Sequence, residues 1–313
     1  MKLVVTIPAF NEENTIAKVI EEIPKKIPGI GKIGVLVIDD GSSDSTSKIA
    51  RSLGAFVIRN PMNRGLAFTF SRGLETALEM GADIVVNTDA DFQYNQKQIP
   101  LLVSPILEGR ADIVLGSRFL GTIESMPAGK YFGNRAMSAM VSFLTGLAIS
   151  DSQTGFRAFS REAALKINVF SDYTYTQETI LEAWEKNLQI LEVPVEFRKR
   201  DGQSRLISNI FVYAKKAGFT VIEGYVSYKP FLVFMASGFA VMSVGALFGW
   251  RVLDHYIRTG LVSPYLPSAV LSSLLLILGA QLLIVGLIAE MVKRNRKIEE
   301  QLLYEAKKAR TAK

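Results

Sequence analysis

Two segments in the C-terminal third of the chain carry no charged side chain: Phe231 to Trp250 and Thr259 to Ala289. Each reaches the roughly 20 residues that cross about 30 Å of hydrocarbon as a helix. A soluble core can wrap an apolar helix, but segments this long and even point to two membrane spans. Neither lies at the N-terminus, so a cleaved leader does not explain them. They account for a hydrophobic share of 49% and a mean hydropathy of +0.22, high for a purely soluble protein.

Lys and Arg flank the spans unevenly. Lys215, Lys216 and Lys229 precede the first, and Lys293, Arg294, Arg296 and Lys297 follow the second. Around Asp254 to Pro267 between them, only Arg258 stands beyond the border residue Arg251. The positive-inside rule then puts both ends in the cytosol and the hairpin tip outside. The expectation is an integral protein of the cell membrane or an ER-type membrane. The net charge of +6 reads as attraction to anionic headgroups. No aromatic-rich basic pattern argues for nucleic acid. Gly238, Gly245 and Gly249 permit close helix packing, which leaves room for a homo-oligomer.

The chain has no cysteine among its 313 residues, which removes disulfides, thiol catalysis and Cys-ligated zinc. Its one histidine, His255, falls in the outward turn, so the cytosolic part has no Ser-His-Asp triad and no His-rich metal site. Carboxylates, amides, basic residues and a metal remain.

Residues 1 to about 115 alternate short β-rich runs with helical stretches. Leu3 to Ile7, ended by Pro8, reads as the first strand. Val35 to Ile38 is a continuous apolar run, as in a strand buried on both faces of a parallel sheet. Further strands are expected at Phe56–Ile58, Ile84–Val86 and Ile113–Leu115, with helices near Asn14–Ile23, Leu66–Met80 and Gln98–Glu108. Asp44 can cap a helix starting near Ser45. This order predicts an α/β fold, an open and largely parallel sheet with helices on both sides. Ala136 to Leu147 reads as an amphipathic helix, suited to a membrane interface or to a core. Glu178 to Asn187 reads as a helix, Ile190 to Val195 as a strand, and Leu206 to Val226 as a helix leading to the membrane.

Ligands of such sheets bind at the carboxyl ends of strands. Ile84-Val85-Val86-Asn87-Thr88 runs straight into Asp89-Ala90-Asp91. Two carboxylates there suit Mg²⁺ or Mn²⁺, whose shell phosphate and water complete, and Gln93 adds an amide oxygen. Val37-Ile38-Asp39-Asp40-Gly41-Ser42 repeats the pattern, and a carboxylate there can bond a base or a ribose. Pro8-Ala9-Phe10-Asn11-Glu12-Glu13 follows strand one, where Phe10 can stack on a base and Glu12 can bond to it.

These three motifs, with Gly116-Ser117-Arg118, Gln153-Thr154-Gly155-Phe156-Arg157 and the hairpin, resemble glycosyltransferase family 2 and within it the polyprenyl (dolichyl) phosphate sugar synthases. The resemblance is strong over residues 1 to about 205. It implies a GT-A fold, Rossmann-like, with a two-helix C-terminal transmembrane hairpin. The implied domains are a cytosolic catalytic domain at 1–205, a juxtamembrane helix at 206–229, two transmembrane helices within 230–292 and a charged cytosolic tail at 293–313.

The same resemblance implies the site. Asp89, Asp91 and Gln93 would bind the metal, while Pro8, Phe10, Glu12 and Asp39 would hold the nucleoside of a donor such as GDP-mannose or UDP-glucose. Arg118 and Arg135, with Ser138, would grip the phosphate of a polyprenyl or dolichyl phosphate acceptor. Arg200, Ser204 and Arg205 would close on the donor phosphates. Arginine suits both tasks because its planar fork bonds phosphate oxygens in pairs.

A lipid monophosphate is ionised near neutral pH and needs no strong base, so orientation, metal and cations can carry one inverting displacement of a hexose. Transfer to a hydroxyl of a lipid-linked glycan is the rival reading; it would need a base near Asp151 or Glu178. A membrane-tethered nucleotide-sugar sensor is a non-enzymatic one. No Gln-x-x-Arg-Trp occurs, against a processive polysaccharide synthase, and no Gly-x-Gly-x-x-Gly follows strand one, against a nicotinamide dehydrogenase.

Overall fold

The structure is a computed structural model that describes residues 1–169, 175–199 and 229–311. The expected basic loop with Arg200, Ser204 and Arg205, and the expected helix at 206–226, lie outside the described residues. The chain divides into two compact units, Met1–Val221 with Leu302–Lys313, and Ile222–Gln301.

The first unit is built on seven strands: β1 (Lys2–Ala9), β2 (Lys32–Asp39), β3 (Phe56–Arg59), β4 (Ile84–Asn87), β5 (Ile113–Ile123), β6 (Arg157–Ser160) and β7 (Ile190–Phe197). They form one sheet in the order β3-β2-β1-β4-β6-β5-β7. Neighbours run parallel except β6, which is antiparallel to both β4 and β5. Between them stand α1 (Ile16–Glu22), α2 (Thr46–Ser52), α3 (Leu66–Glu79), α4 (Ile99–Leu107), α5 (Ala128–Thr145), α6 (Arg161–Lys166) and α7 (Thr176–Glu185).

Alternation along β1 divides the core. Leu3, Val5 and Ile7 point to one side of the sheet, where α1 and α4 add Ile16, Val19, Leu102 and Val103. Val4 points to the other, with Leu36 and Ile38 of β2, and there α3, α6 and α7 contribute Phe70, Leu74, Ala163 and Ile180. Both faces are covered, so these strands read as unbroken apolar runs.

Several elements differ from the sequence reading, β5 among them, which runs on to Ile123. β1 continues through Pro8 to Ala9, because its pairing with β4 stops at Thr6 and a missing N–H beyond that point breaks no ladder bond. α5 starts at Ala128, well before the expected Ala136; Gly129 and Gly133 mask its first turns in the sequence. β6 and α6 were not expected, being only four and six residues long.

Residues from Leu302 also belong to the first unit. Lys307 Nζ donates to Ile167 O at 3.1 Å and to Asn168 Oδ1 at 2.7 Å. Arg310 pairs with Glu79 at 3.3 Å, and Arg161 donates to Thr311 O at 2.9 Å.

The second unit holds α8 (Pro230–Thr259) and the greater part of α9 (Leu266–Thr311). Both helices are long and apolar enough to cross a membrane, with mean hydropathies of 2.1 and 2.4 over their most apolar windows. Large apolar side chains such as Phe239, Leu247, Trp250, Leu274 and Leu287 are exposed. Small residues form the seam between the helices. A Cβ on Gly279 would fall 2.3 Å from Met242 Cγ, and one on Gly238 2.7 Å from Leu283 Cδ2. Ser272 Oγ donates to Gly245 O at 2.8 Å. Gly238, Gly245 and Gly249 thus serve packing within the hairpin, and their presence is no argument for an oligomer.

Candidate active site

Parallel pairing puts the carboxyl ends of β1, β2 and β4 side by side: Ala9 stands opposite Asp39, and Thr6 opposite Asn87. The loops leaving β1 and β2 are bonded to each other. Asn11 N donates to Ser42 Oγ at 2.9 Å and Ser43 N to Asn11 Oδ1 at 2.8 Å. Glu12 N donates to Thr46 Oγ1 at 2.9 Å, and Ser45 N to Glu13 Oε2 at 3.0 Å. Asp44 joins them by accepting from Thr46 N at 3.0 Å and Glu13 N at 3.2 Å. Burial works against the Asp44 charge, but the bonds from Thr46 and Glu13 outweigh it and hold the carboxyl below its ordinary pKa. The two motifs therefore fold as one rigid lip.

Beside this lip lies a cleft of about 270 Å³ lined by Pro8, Phe10, Glu12, Asp40, Asn63, Gly65, Leu66, Thr69, Asp89 and Asp91. Five of the residues expected from the sequence, Pro8, Phe10, Glu12, Asp89 and Asp91, share its wall. Asp39 does not. It is fully buried, accepting from Ser42 N at 2.8 Å and from Ser47 Oγ, with Arg59 at 3.7 Å. Its neighbour Asp40 lines the cleft and fixes the loop before α3, accepting from Arg64 N and Gly65 N at 2.9 Å each and from Asn60 Nδ2 at 2.7 Å. Sequence reasoning missed Asp40, Asn63, Gly65 and Thr69. The Asp-Asp pair was visible, but only the register of β2 tells which of the two faces the cleft.

The acidic turn has a constrained backbone. Phe92 takes φ +61°, a left-handed conformation uncommon for a bulky side chain, and Asn11 takes φ +55° in the opposing lip. Asp91 Oδ1 accepts from Gln93 N at 3.2 Å. Two cations stand over the Phe92 ring, Arg198 at 4.7 Å and Lys18 at 5.9 Å from its centroid. Arg198 is in turn held by Glu22 through two bonds of 2.9 Å. Gln93 is nearly buried and its Nε2 donates to Arg198 O at 3.3 Å, so its amide ties the turn to the end of β7.

The donor set fits a hard divalent ion held by few protein ligands. Among the described residues no group of three or more His, Cys, Asp or Glu side chains could hold a metal. Asp89 and Asp91 are two carboxylates on an open cleft, the arrangement in which phosphate and water supply the rest of the shell.

The basic residues separate in role. Arg118 is buried, and its Nε and Nη2 donate to Asp151 at 2.7 and 2.8 Å. Arg135, on α5, is exposed. Phe119 draws the two together, with Arg118 Cζ 6.0 Å and Arg135 Cζ 5.5 Å from its ring centroid. Ser138 is buried and bonded to Ser152, accepting from its N at 2.9 Å. One turn earlier, Asn134 Nδ2 is buried with no hydrogen-bond partner among the described residues. Phe132, Ala136, Ala139 and Phe143 form an exposed stripe along α5 beside Arg135.

Residues 4–167 match glycosyl transferase family 2. The chain is 33% identical over 206 residues to a dolichyl-phosphate hexose transferase of Haloferax volcanii, covering 65% of this chain and 86% of the relative. It is 32% identical over 215 residues to a UDP-N-acetylglucosamine–dolichyl-phosphate N-acetylglucosaminyltransferase of Methanococcus voltae, covering 61% and 83%. A polyprenol monophosphomannose synthase of Mycolicibacterium smegmatis is 27% identical over 71% of this chain and 86% of its own. The fold is shared with glucosyl-3-phosphoglycerate synthase of Mycobacterium tuberculosis in complex with Mn²⁺ and UDP, with a TM-score of 0.56 and 23% identity over 72% of this chain and 79% of that one. The chain is a glycosyltransferase, and it belongs to glycosyl transferase family 2.

Proposed function

We propose that the protein transfers a sugar from a nucleoside-diphosphate donor to polyprenyl or dolichyl phosphate at the cytosolic surface of a membrane. One connection carries this reading. Ser138 of α5 is bonded to Ser152, and three residues further on Gly155 lies against the Asp89 carboxylate. The donor cleft and the helix bearing Arg135 and the apolar stripe are thus built on the two sides of a single loop. Relatives whose names specify dolichyl or polyprenol phosphate chemistry support the choice of acceptor.

The lip and the acidic turn orient the donor, with Phe10 as a stacking surface and Glu12 and Asp40 as acceptors for base or ribose. Asp89 and Asp91 would hold Mg²⁺ or Mn²⁺, which when bound neutralises the donor diphosphate and eases its departure. Arg135 meets the acceptor phosphate from the exposed side. Arg118, with Nε and Nη2 committed to Asp151 and the Phe119 ring shared with Arg135, adds its charge beside the same phosphate. Little base catalysis is needed, since the nucleophile is an ionised phosphate oxygen. Asp151 accepts three bonds from Arg118 alone, counting its backbone N at 3.0 Å, and this counts against its use as the base of a hydroxyl transfer. The apolar stripe of α5 suits the headgroup boundary. The Lys and Arg flanks of the spans, and a tail packed on the catalytic unit, support a cytosolic position for both ends.

The test is a donor panel. Purified protein, polyprenyl phosphate and Mn²⁺ are incubated in turn with labelled GDP-mannose, UDP-glucose and UDP-N-acetylglucosamine. One donor is expected to give a labelled lipid that mild acid releases. With a lipid-linked glycan added as a competing acceptor, label passing to the glycan and never to the lipid phosphate overturns the proposal.

A further inference from the structure

The segment Ser152–Arg157 makes more hydrogen bonds than a connecting loop requires. Gly155 N donates to Tyr94 Oη at 3.0 Å, and Gly155 O accepts from Asn87 Nδ2 at 2.8 Å. Thr154 Oγ1 is 3.3 Å from the same Tyr94 Oη. Arg157, fully buried, takes the carbonyls of Ser152 at 3.0 Å, Thr154 at 2.8 Å and Thr176 at 2.7 Å. Among the described residues its guanidinium meets carbonyls and a hydroxyl but no carboxylate. A buried cation with no carboxylate bonded to it is costly, so a merely space-filling role is better served by an apolar side chain. Burial holds the guanidinium below its ordinary pKa. Its fork can tie three carbonyls at once, which neither Lys nor Met can do.

The locked segment presses on one group. A Cβ placed on Gly155 would lie 2.6 Å from Asp89 Oδ1, 2.9 Å from Oδ2 and 3.1 Å from Cγ. The Asp89 carboxylate therefore rests directly on the bare Cα of residue 155. Asn87, two residues before Asp89, binds the segment from β4 and is itself oriented by Tyr175 Oη at 3.0 Å. The acidic turn and its support are cross-linked on both sides.

We infer that Ser152–Arg157 is the backing plate of the metal-binding carboxylate: Gly155 is the surface that sets the Asp89 rotamer, and Arg157, Tyr94 and Asn87 are positioning residues that keep this surface in place. The inference rests on the reading of Asp89 as a metal ligand. It assigns to the Gln-Thr-Gly-Phe-Arg run a task in donor binding, although it follows the donor motifs by some sixty residues.

A structural role alone and a positioning role predict different outcomes for Gly155→Ala. The atoms in the way belong to the far end of Asp89, so the cheapest response is rotation of that carboxylate, with the fold kept. The experiment titrates Mn²⁺ into the purified full chain with UDP, and separately with GDP, following free Mn²⁺ by electron paramagnetic resonance. Nucleotide affinity without metal and the melting temperature are measured alongside. Gly155→Ala is expected to weaken Mn²⁺ binding at least tenfold, with metal-free nucleotide affinity and melting temperature nearly unchanged. Tyr94→Phe, which removes the acceptor of Gly155 N–H and adds no volume, is expected to weaken it about threefold to tenfold. Asp89→Asn is the control for the underlying reading. Wild-type Mn²⁺ binding in Asp89→Asn overturns the metal assignment. Loss in Asp89→Asn with wild-type binding in both Gly155→Ala and Tyr94→Phe overturns the backing-plate inference alone. Should Gly155→Ala fail to fold, Tyr94→Phe decides: wild-type Mn²⁺ binding in it overturns the inference, and selective weakening supports it.

Discussion

Arg118 and Asp151 form a buried two-point ion pair, with bonds of 2.7 and 2.8 Å between side chains 4% and 0% exposed. Removing one partner strands the other charge in the core. Asp151→Asn is expected to cost about 3–5 kcal/mol of stability, read as a drop in melting temperature. Arg135→Ala, at an exposed position, should cost under about 0.5 kcal/mol and instead raise the KM for lipid phosphate. The two arginines that the sequence treats alike should therefore separate in thermal melts, because only Arg118 is half of a buried ion pair.

Metal removal has a defined expectation. A chelator should abolish transfer, and added Mn²⁺ or Mg²⁺ should restore it. Asp91→Asn keeps the shape of the turn and removes a charge, so kcat should fall by about 10²-fold or more with the fold intact. Full activity in chelator would exclude the proposed role of Asp89 and Asp91.

The exposed stripe on α5 predicts a split between substrates. Phe132 is 70% exposed and Phe143 86% exposed, so Phe132→Asp and Phe143→Asp should leave the melting temperature unchanged. In vesicles each should raise the KM for polyprenyl phosphate about tenfold to a hundredfold, since insertion of one aromatic side chain contributes about 1.5–3 kcal/mol. The donor KM should not move.

Lys307 gives a pH dependence. Its ammonium is largely buried against Ile167 O and Asn168, and burial lowers its pKa. The docked state therefore binds fewer protons than the free tail between the lowered value and the ordinary lysine value. Stability contributed by docking rises with pH across that window and is reduced below it. The melting temperature of wild type relative to Lys307→Met should increase as the pH is raised from neutrality towards the ordinary lysine range. A difference that is flat or falling with pH excludes this contribution.

The hairpin seam offers a mutational test of its own. Gly279→Leu places a branched side chain where even a Cβ would be 2.3 Å from Met242 Cγ. The yield of folded protein in detergent should fall sharply, by overpacking. Leu287→Ala on an exposed face should change it little.

The wall of the cleft was legible because strand ends and carboxylates are adjacent in sequence: Pro8 to Glu13 and Asp89 to Asp91 each occupy one loop, and the parallel order of β1, β2 and β4 follows from the apolar runs. Asp39 was read as facing the ligand because sequence cannot tell which of two adjacent carboxylates a strand turns inward. Ser138 carries a suitable hydroxyl, and only the fold reveals that Ser152 already engages it, while the Gln93 amide nitrogen is taken by Arg198 O. The role of Gly155 could not be seen at all, since the signal is the absence of an atom beside a residue far away in the chain. β6 is too short for periodicity to register, and α5 lost its start to two glycines.

The reversal of β6 has a geometric consequence. Chains that enter a strand do so at the rim opposite to the one where its parallel neighbours exit, so an all-parallel sheet uses only departing loops on its working rim. Turning one strand around brings an arriving loop to that rim. Gln153 to Phe156 thus meets the departure from β4 beside Gly116 of β5, and a site fed by exits alone gains an entrance. The result is a rim on which the cleft and the helix bearing Arg135 share a common wall, contributed by the loop that enters β6.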